Sequence, residues 1–184
     1  MKITEEELQE IISNASEQGA KAAIKEMKKQ NMFKHGMDTY QKTEYILRNY
    51  NEFKRAIIDR QEEISDIETY GIKKKSASIT SYPGGTRSAV LDDAEKADEQ
   101  IRMLQHQNEL TKNLINKIDS ILDELKDEPY YRVIELYYFE KKKYEVIAGE
   151  LSVSISTVSS ARKQIIEKIK IRLFSDNVIR EIFS

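Results

Sequence analysis

Residues 144–173 read YEVIAGELSVSISTVSSARKQIIEKIKIRL, and this stretch decides the fold. Tyr144 opens a motif of about twenty residues that the pattern predicts to be two helices joined by a short turn. Ile147, Ala148 and Leu151 fall on one face of the first helix. Val153 sits in the turn, and Val158 and Ala161 face back from the second helix. Two helices that cross steeply need a small residue at the crossing and branched apolar residues around it. Ala148 is that small residue. Ser154 follows the turn and is suited to cap the second helix.

The second helix sorts by angle. Val158, Ala161, Ile165 and Ile169 share a core face. Ser156, Ser159, Ser160 and Lys163 share the opposite face, with Thr157, Arg162 and Gln164 on its flanks. Small polar residues near a helix N-terminus, with cations further along, suit entry into a DNA major groove. Short side chains there let the backbone approach phosphates and base edges. Lys141, Lys142 and Lys143 precede the first helix, where a backbone-phosphate contact is natural. Ser154 and Ser156 lie where free N–H groups and the helix dipole also favour phosphate. The expected DNA-contacting set is therefore Lys141, Lys142, Lys143, Ser154, Ser156, Thr157, Ser159, Ser160, Arg162, Lys163 and Gln164. The plainer alternative is a helical hairpin with a solvated serine face.

With these residues in hand, a family resemblance emerges. Pro129 to Phe174, about a quarter of the chain, resembles the fourth region of bacterial sigma factors. In that pattern a proline opens a tyrosine-rich helix, followed by a segment like EVIAGEL, then Ser-x-x-Thr-Val, then a basic helix. It is more closely similar to the sigma-like phage late-gene activators of the ArpU/RinA type. A weaker likeness extends over Lys42 to Ile67, where that family also tends to carry a Tyr-rich helix. The sequence departs from the pattern at Ser152, where many such turns have glycine, and in the sparse charge at the start of the second helix. The resemblance implies a promoter-binding activator in the cytoplasm of a bacterial host, with double-stranded DNA and RNA polymerase as partners.

Composition agrees with an all-α chain of one domain, or one small domain with extensions. The 184 residues are 34% charged and 39% hydrophobic, with two Pro and six Gly, few breakers for so many Glu, Lys, Ile and Leu. There is no Cys, which excludes disulfides and thiolate metal sites. No apolar run is long enough to span a membrane, and the acidic N-terminus is unlike a signal peptide, so a cytoplasmic protein is expected. Net charge is −2, but its distribution is uneven. Residues 141–174 hold eight Lys/Arg against three Glu, whereas 88–128 hold eleven Asp/Glu against five Lys/Arg. A basic end behind an acidic helix suits a protein that docks DNA by one end.

Four regions are expected: an N-terminal helical region over 1–70, a linker over 71–87, a long helix over 88–128 and a DNA-binding domain over 129–184. Thr4 and Glu7 make a capping box for the first helix. Leu8, Ile11, Ile12 and Ala15 form its stripe, which Gly19 interrupts before Ala20, Ala22, Ala23, Ile24 and Met27 resume it. Residues 31–41, with His35 and Gly36, read as a loop. Thr43 is placed as the cap of a second helix running to about Tyr70. Residues 71–87, with three glycines and Pro83, read as a linker.

The long helix carries a heptad seam through Ile101, Leu104, Asn108, Thr111, Ile115, Ile118, Leu122 and Leu125. It fits either a homodimeric coiled coil or packing on residues 42–67 of the same chain. Pro129 is placed in the first turn of the next helix. There the stripe Tyr130, Val133, Ile134, Tyr137 and Tyr138 floors the two-helix motif. The apolar stripes of 129–174 are expected to complete one another without the rest of the chain. Val178, Ile179, Ile182 and Phe183 in the tail could fold back or meet a partner.

No catalytic constellation is present. His35 and His106 have no metal-ligand spacing, and neither a Walker lysine nor a nucleophile elbow occurs. The chain is read as a non-enzyme without cofactor or metal. Three functions fit: a sequence-specific transcriptional activator, an oligomeric DNA-recognition or packaging subunit of small-terminase type, and a helical adaptor that binds protein alone.

Overall fold

The computed structural model describes residues 5–30, 32, 33, 36–72 and 93–175; for residues 5–13, 16 and 93 only the backbone is described. The expectations for Thr4, His35, residues 73–92 and the tail beyond Ser175 fall outside the described residues, as do those for the side chains of Leu8, Ile11 and Ile12.

Every regular element among the described residues is helical. They are α1 (Glu5–Lys29), α2 (Thr39–Arg48), α3 (Tyr50–Tyr70), α4 (Asp93–Glu124), α5 (Arg132–Ile134) with a π-helical turn directly after it (Glu135–Phe139), α6 (Tyr144–Leu151) and α7 (Ile155–Leu173). Two compact units form, one from residues 1–54 and 110–184, the other from 55–109. The division falls inside α3 and α4, not at the 71–87 segment.

Unit two is a pair of antiparallel helices. Asn108 Nδ2 donates to the Ile57 carbonyl at 3.1 Å, and Gln100 Nε2 to Glu63 Oε1 at 3.0 Å, so rising numbers on α4 meet falling numbers on α3. Asn108 is buried at a seam position, and its Oδ1 lacks a hydrogen-bond partner. Ile101 and Leu104 are half-buried in the same unit.

Unit one holds the larger core. The lower half of the α4 seam, Ile115, Ile118, Leu122 and Leu125, is buried there along with Leu114 and Ile121. These side chains are buried within the chain itself. Ala20, Ala23, Ile24 and Met27 give α1 its buried face, whereas Ala15 and Ala22, expected in the same stripe, are exposed. Its lysines 21, 25, 28 and 29 are exposed.

Several local expectations change. Gly19 does not interrupt α1. The helix runs through it, and a Cβ there would lie 2.6 Å from Asn113 Nδ2 and 2.7 Å from Asn113 Cγ. Gly19 is thus a close-approach point of α1 on α4. Asp38, not Thr43, caps α2: its carboxylate accepts from the Gln41 N–H at 2.7 Å while Gln41 Oε1 accepts from the Asp38 N–H at 3.2 Å. Thr43 is buried one turn inside, its hydroxyl donating to the Thr39 carbonyl at 2.9 Å.

The expected single helix to Tyr70 is broken at Asn49, whose Nδ2 donates to the Tyr45 carbonyl at 2.7 Å and competes with the backbone ladder. Pro129 does not open α5, which begins three residues later. Tyr130 in between takes φ 63° and is 46% exposed, outside the core stripe.

Gly19 supplies a test of this packing. Gly→Ala within a helix ordinarily stabilises by about 1 kcal/mol. In the wild-type background Gly19→Ala is expected to lose that gain, because Asn113 must move. In an Asn113→Ala background, where two of the three close atoms are gone, the gain should return. Urea denaturation of the four proteins measures the coupling; additive effects would contradict the close approach.

Candidate nucleic-acid interface

The short α6 helix is anchored by one compact cluster. Ile147 and Ala148 from α6, Val158 and Ala161 from α7, and Val133 and Leu136 from the segment before them are buried together. Tyr137, Tyr144, Leu151 and Val153 pack around them. Leu136 was not expected inside. The π-helical turn adds one residue per turn there, so Leu136 enters the core beside Val133, Ile134 and Tyr138.

The turn between α6 and α7 is closed by backbone bonds. Ser152 takes a left-handed conformation, φ 55° and ψ 42°. The Val153 N–H donates to the Ala148 carbonyl at 3.0 Å and the Ser152 N–H to the Gly149 carbonyl at 3.2 Å, a Schellman-like ending. Ser154 then caps α7 as anticipated, its Oγ accepting from the Thr157 N–H at 3.0 Å. The same Oγ lies 2.7 Å from Ser156 Oγ and 2.8 Å from Thr157 Oγ1. Three hydroxyls therefore converge on the first turn of α7.

The eleven residues expected to contact DNA separate into two groups. Lys143, Ser154, Ser156, Ser160, Lys163 and Gln164 are exposed, while Thr157 and Ser159 are half-buried. At about 100° per residue, Ser156, Ser160 and Lys163 form one outward row with Gln164 beside it. The other three are engaged within the chain. Lys141 takes φ 57° and its Nζ donates to the Arg48 carbonyl. Lys142 bridges Glu140 at 2.9 Å and Glu150 at 2.7 Å, and these carboxylates raise its pKa, Glu150 most.

Arg162 points inward. Its side chain is 12% exposed, and its Nη1 donates to Glu44 Oε1 of α2 and, at 2.9 Å, to Tyr138 Oη. The Tyr138 hydroxyl also donates to Glu44 Oε1 at 2.9 Å. The guanidinium lies 5.1 Å from the ring centre of Tyr137 and 5.8 Å from that of Tyr144, within cation–π range. Burial alone would disfavour its charge, but Tyr138, Tyr144 and Glu44 together outweigh that and raise its pKa. Burial raises the Tyr138 pKa, with Arg162 opposing and Glu44 reinforcing.

The same side of α7 also buries Ile166 completely, and α2 packs along α7. Part of the apolar surface of 129–174 is therefore covered by α2, which lies outside that stretch. Glu44 is the residue that sequence reading missed. It lies 118 residues from Arg162, and no local spacing links the two.

Among the described residues no group of three or more acidic or histidine side chains is placed to hold a metal ion, and no helix is long and apolar enough to cross a membrane. No family model matches the chain, and neither a curated protein nor a solved structure matches it.

Ser152 yields a prediction. A left-handed residue with a Cβ costs roughly 1–2 kcal/mol, partly offset for glycine by its freer unfolded chain. Ser152→Gly should therefore stabilise the protein by about 1 kcal/mol in urea denaturation. A loss of stability would contradict the left-handed turn.

Proposed function

We propose that this chain is a sequence-specific, double-stranded-DNA-binding activator of transcription that uses α6 and α7 as a helix-turn-helix, with α7 as the recognition helix. The observation that carries this reading is the outward row of α7. Ser156, Ser160, Lys163 and Gln164 stand exposed on a helix whose other side is buried, behind a capped N-terminus and a tight turn. Short side chains at the entry and long polar ones further along match what a major groove admits. The resemblance of Pro129–Phe174 to sigma region four and to ArpU/RinA-type phage late-gene activators points the same way. On that resemblance, RNA polymerase in a bacterial cytoplasm is the proposed partner.

The placement of the cations refines the roles. Lys143 is the proposed phosphate contact, and Lys163 and Gln164 the base-reading pair. Lys142 would have to exchange Glu140 and Glu150 for a phosphate, so its contribution to affinity is smaller than its charge suggests. Arg162 belongs to the support of α7.

The test is binding of the full chain, at several salt concentrations, to a duplex selected from a random library and to a scrambled duplex. Lys143→Ala should weaken both alike and reduce the salt slope by about one. Lys163→Ala or Gln164→Ala should shift the preferred sequence, at roughly 1–3 kcal/mol for a good base contact. A closed ring with tight binding but no preference would favour a packaging subunit instead, and absence of binding at low salt a protein-only adaptor.

A further inference from the structure

The Glu44–Arg162–Tyr138 cluster is hard to explain by stability. Desolvating an ion pair costs about as much as the mutual attraction returns, and an apolar pair of similar volume commonly does as well or better. The cluster also leaves polar atoms unmet. Arg162 Nε is buried without a partner, and so is the hydroxyl of Tyr40, whose pKa is raised first by its burial and lowered by Arg162. Unmet buried polar groups subtract from stability.

What the cluster does supply is direction. The apolar side of α7, with Val158, Ala161, Ile165, Ile166 and Ile169, is held by non-directional burial. Such a face tolerates small rolls and slides of a helix. Arg162 does not. Its planar guanidinium is fixed by the Glu44 carboxylate, the Tyr138 hydroxyl and the faces of Tyr137 and Tyr144. Glu44 Oε1 also lies 3.8 Å from Arg48 Nη2, and the Arg48 guanidinium stands 5.9 Å from the centre of the Tyr137 ring. Arg162 is the immediate chain neighbour of Lys163 and two positions from both Ser160 and Gln164. On a rigid helix, setting one of these directions sets the others.

We infer that Glu44 and Arg162 are positioning residues that fix the roll of α7, and thereby which bases its outward row selects. This inference rests on the DNA reading given above. The N-terminal part of the chain is then a determinant of sequence selectivity, although none of it belongs to the row that reads the bases.

The test separates selectivity from stability in the full chain. Wild type, Glu44→Leu/Arg162→Met and Arg162→Lys are titrated against the library-selected duplex and its scrambled version over a range of salt, with urea denaturation in parallel. The double variant, in which the buried Tyr138 hydroxyl loses both its partners, should fold with somewhat lower stability and keep the wild-type salt slope, yet lose about tenfold in the selected-to-scrambled ratio. Arg162→Lys keeps the charge but not the planar fork, and should lose a similar factor while folded. Folded variants that retain the wild-type ratio would overturn the inference and leave the DNA reading intact. A ratio that falls only in step with stability would overturn it too. If the double variant does not fold, Arg162→Lys decides alone. A wild type that selects no sequence would overturn the DNA reading and this inference with it.

Discussion

The inward turn of Arg162 onto Glu44 is the constraint on which the C-terminal half of this protein depends. It joins α7 to α2 across 118 residues of chain. Tyr137, Tyr138 and Tyr144 surround it, and Tyr137 and Tyr144 also pack against the apolar cluster that anchors α6. Three elements therefore meet at one cluster: the segment before α6, the α7 helix and the N-terminal α2. Apolar burial supplies the larger share of the free energy, because a fully buried isoleucine such as Ile166 contributes roughly 1.5–3 kcal/mol by itself. The polar cluster decides how those apolar faces are registered.

Much of the local structure was legible in the sequence because its signals are local. Ser154 three residues before Thr157, Ala148 beside Ile147, and the return of Val158 and Ala161 all act within one or two turns, and the cap and the shared burial of these apolar residues are found. The all-helical character follows in the same way from periodicity. What sequence could not give is competition between local signals and contacts made at a distance. Asp38 with Gln41 outcompetes Thr43 for the α2 cap because it closes a reciprocal pair of bonds, while Thr43 is drawn into the core. Asn49 breaks a helix whose apolar spacing continues past it. A single extra residue in the π turn brings in Leu136, which strict 3.6-residue counting leaves out.

The candidate interface was legible by row but not by individual role. Angular sorting placed Ser156, Ser160 and Lys163 outward, where they are exposed. It placed Arg162 on the flank of that row, and a flank becomes interior once a neighbouring helix covers it. The seam of α4 carries the same lesson. Its heptad spacing fits a second chain as well as its own, and the burial of Ile115, Ile118, Leu122 and Leu125 inside unit one is not written in that spacing. Charge counting was likewise too coarse. The basic run 141–143 contains one lysine on a backbone carbonyl and one between two carboxylates, so nominal charge overstates the field offered to a phosphate backbone.

The central claim is that α2 and α7 form one cooperative unit whose packed faces Glu44 and Arg162 bring into register. Native-state hydrogen exchange on the full chain, followed by peptide across residues 39–48 and 155–173, tests it most directly. The account predicts that the slowest amides of α2 and α7 open with the same free energy and the same urea dependence. Exchange from α2 at a distinctly lower free energy, with α6 and α7 still fully protected, would contradict it.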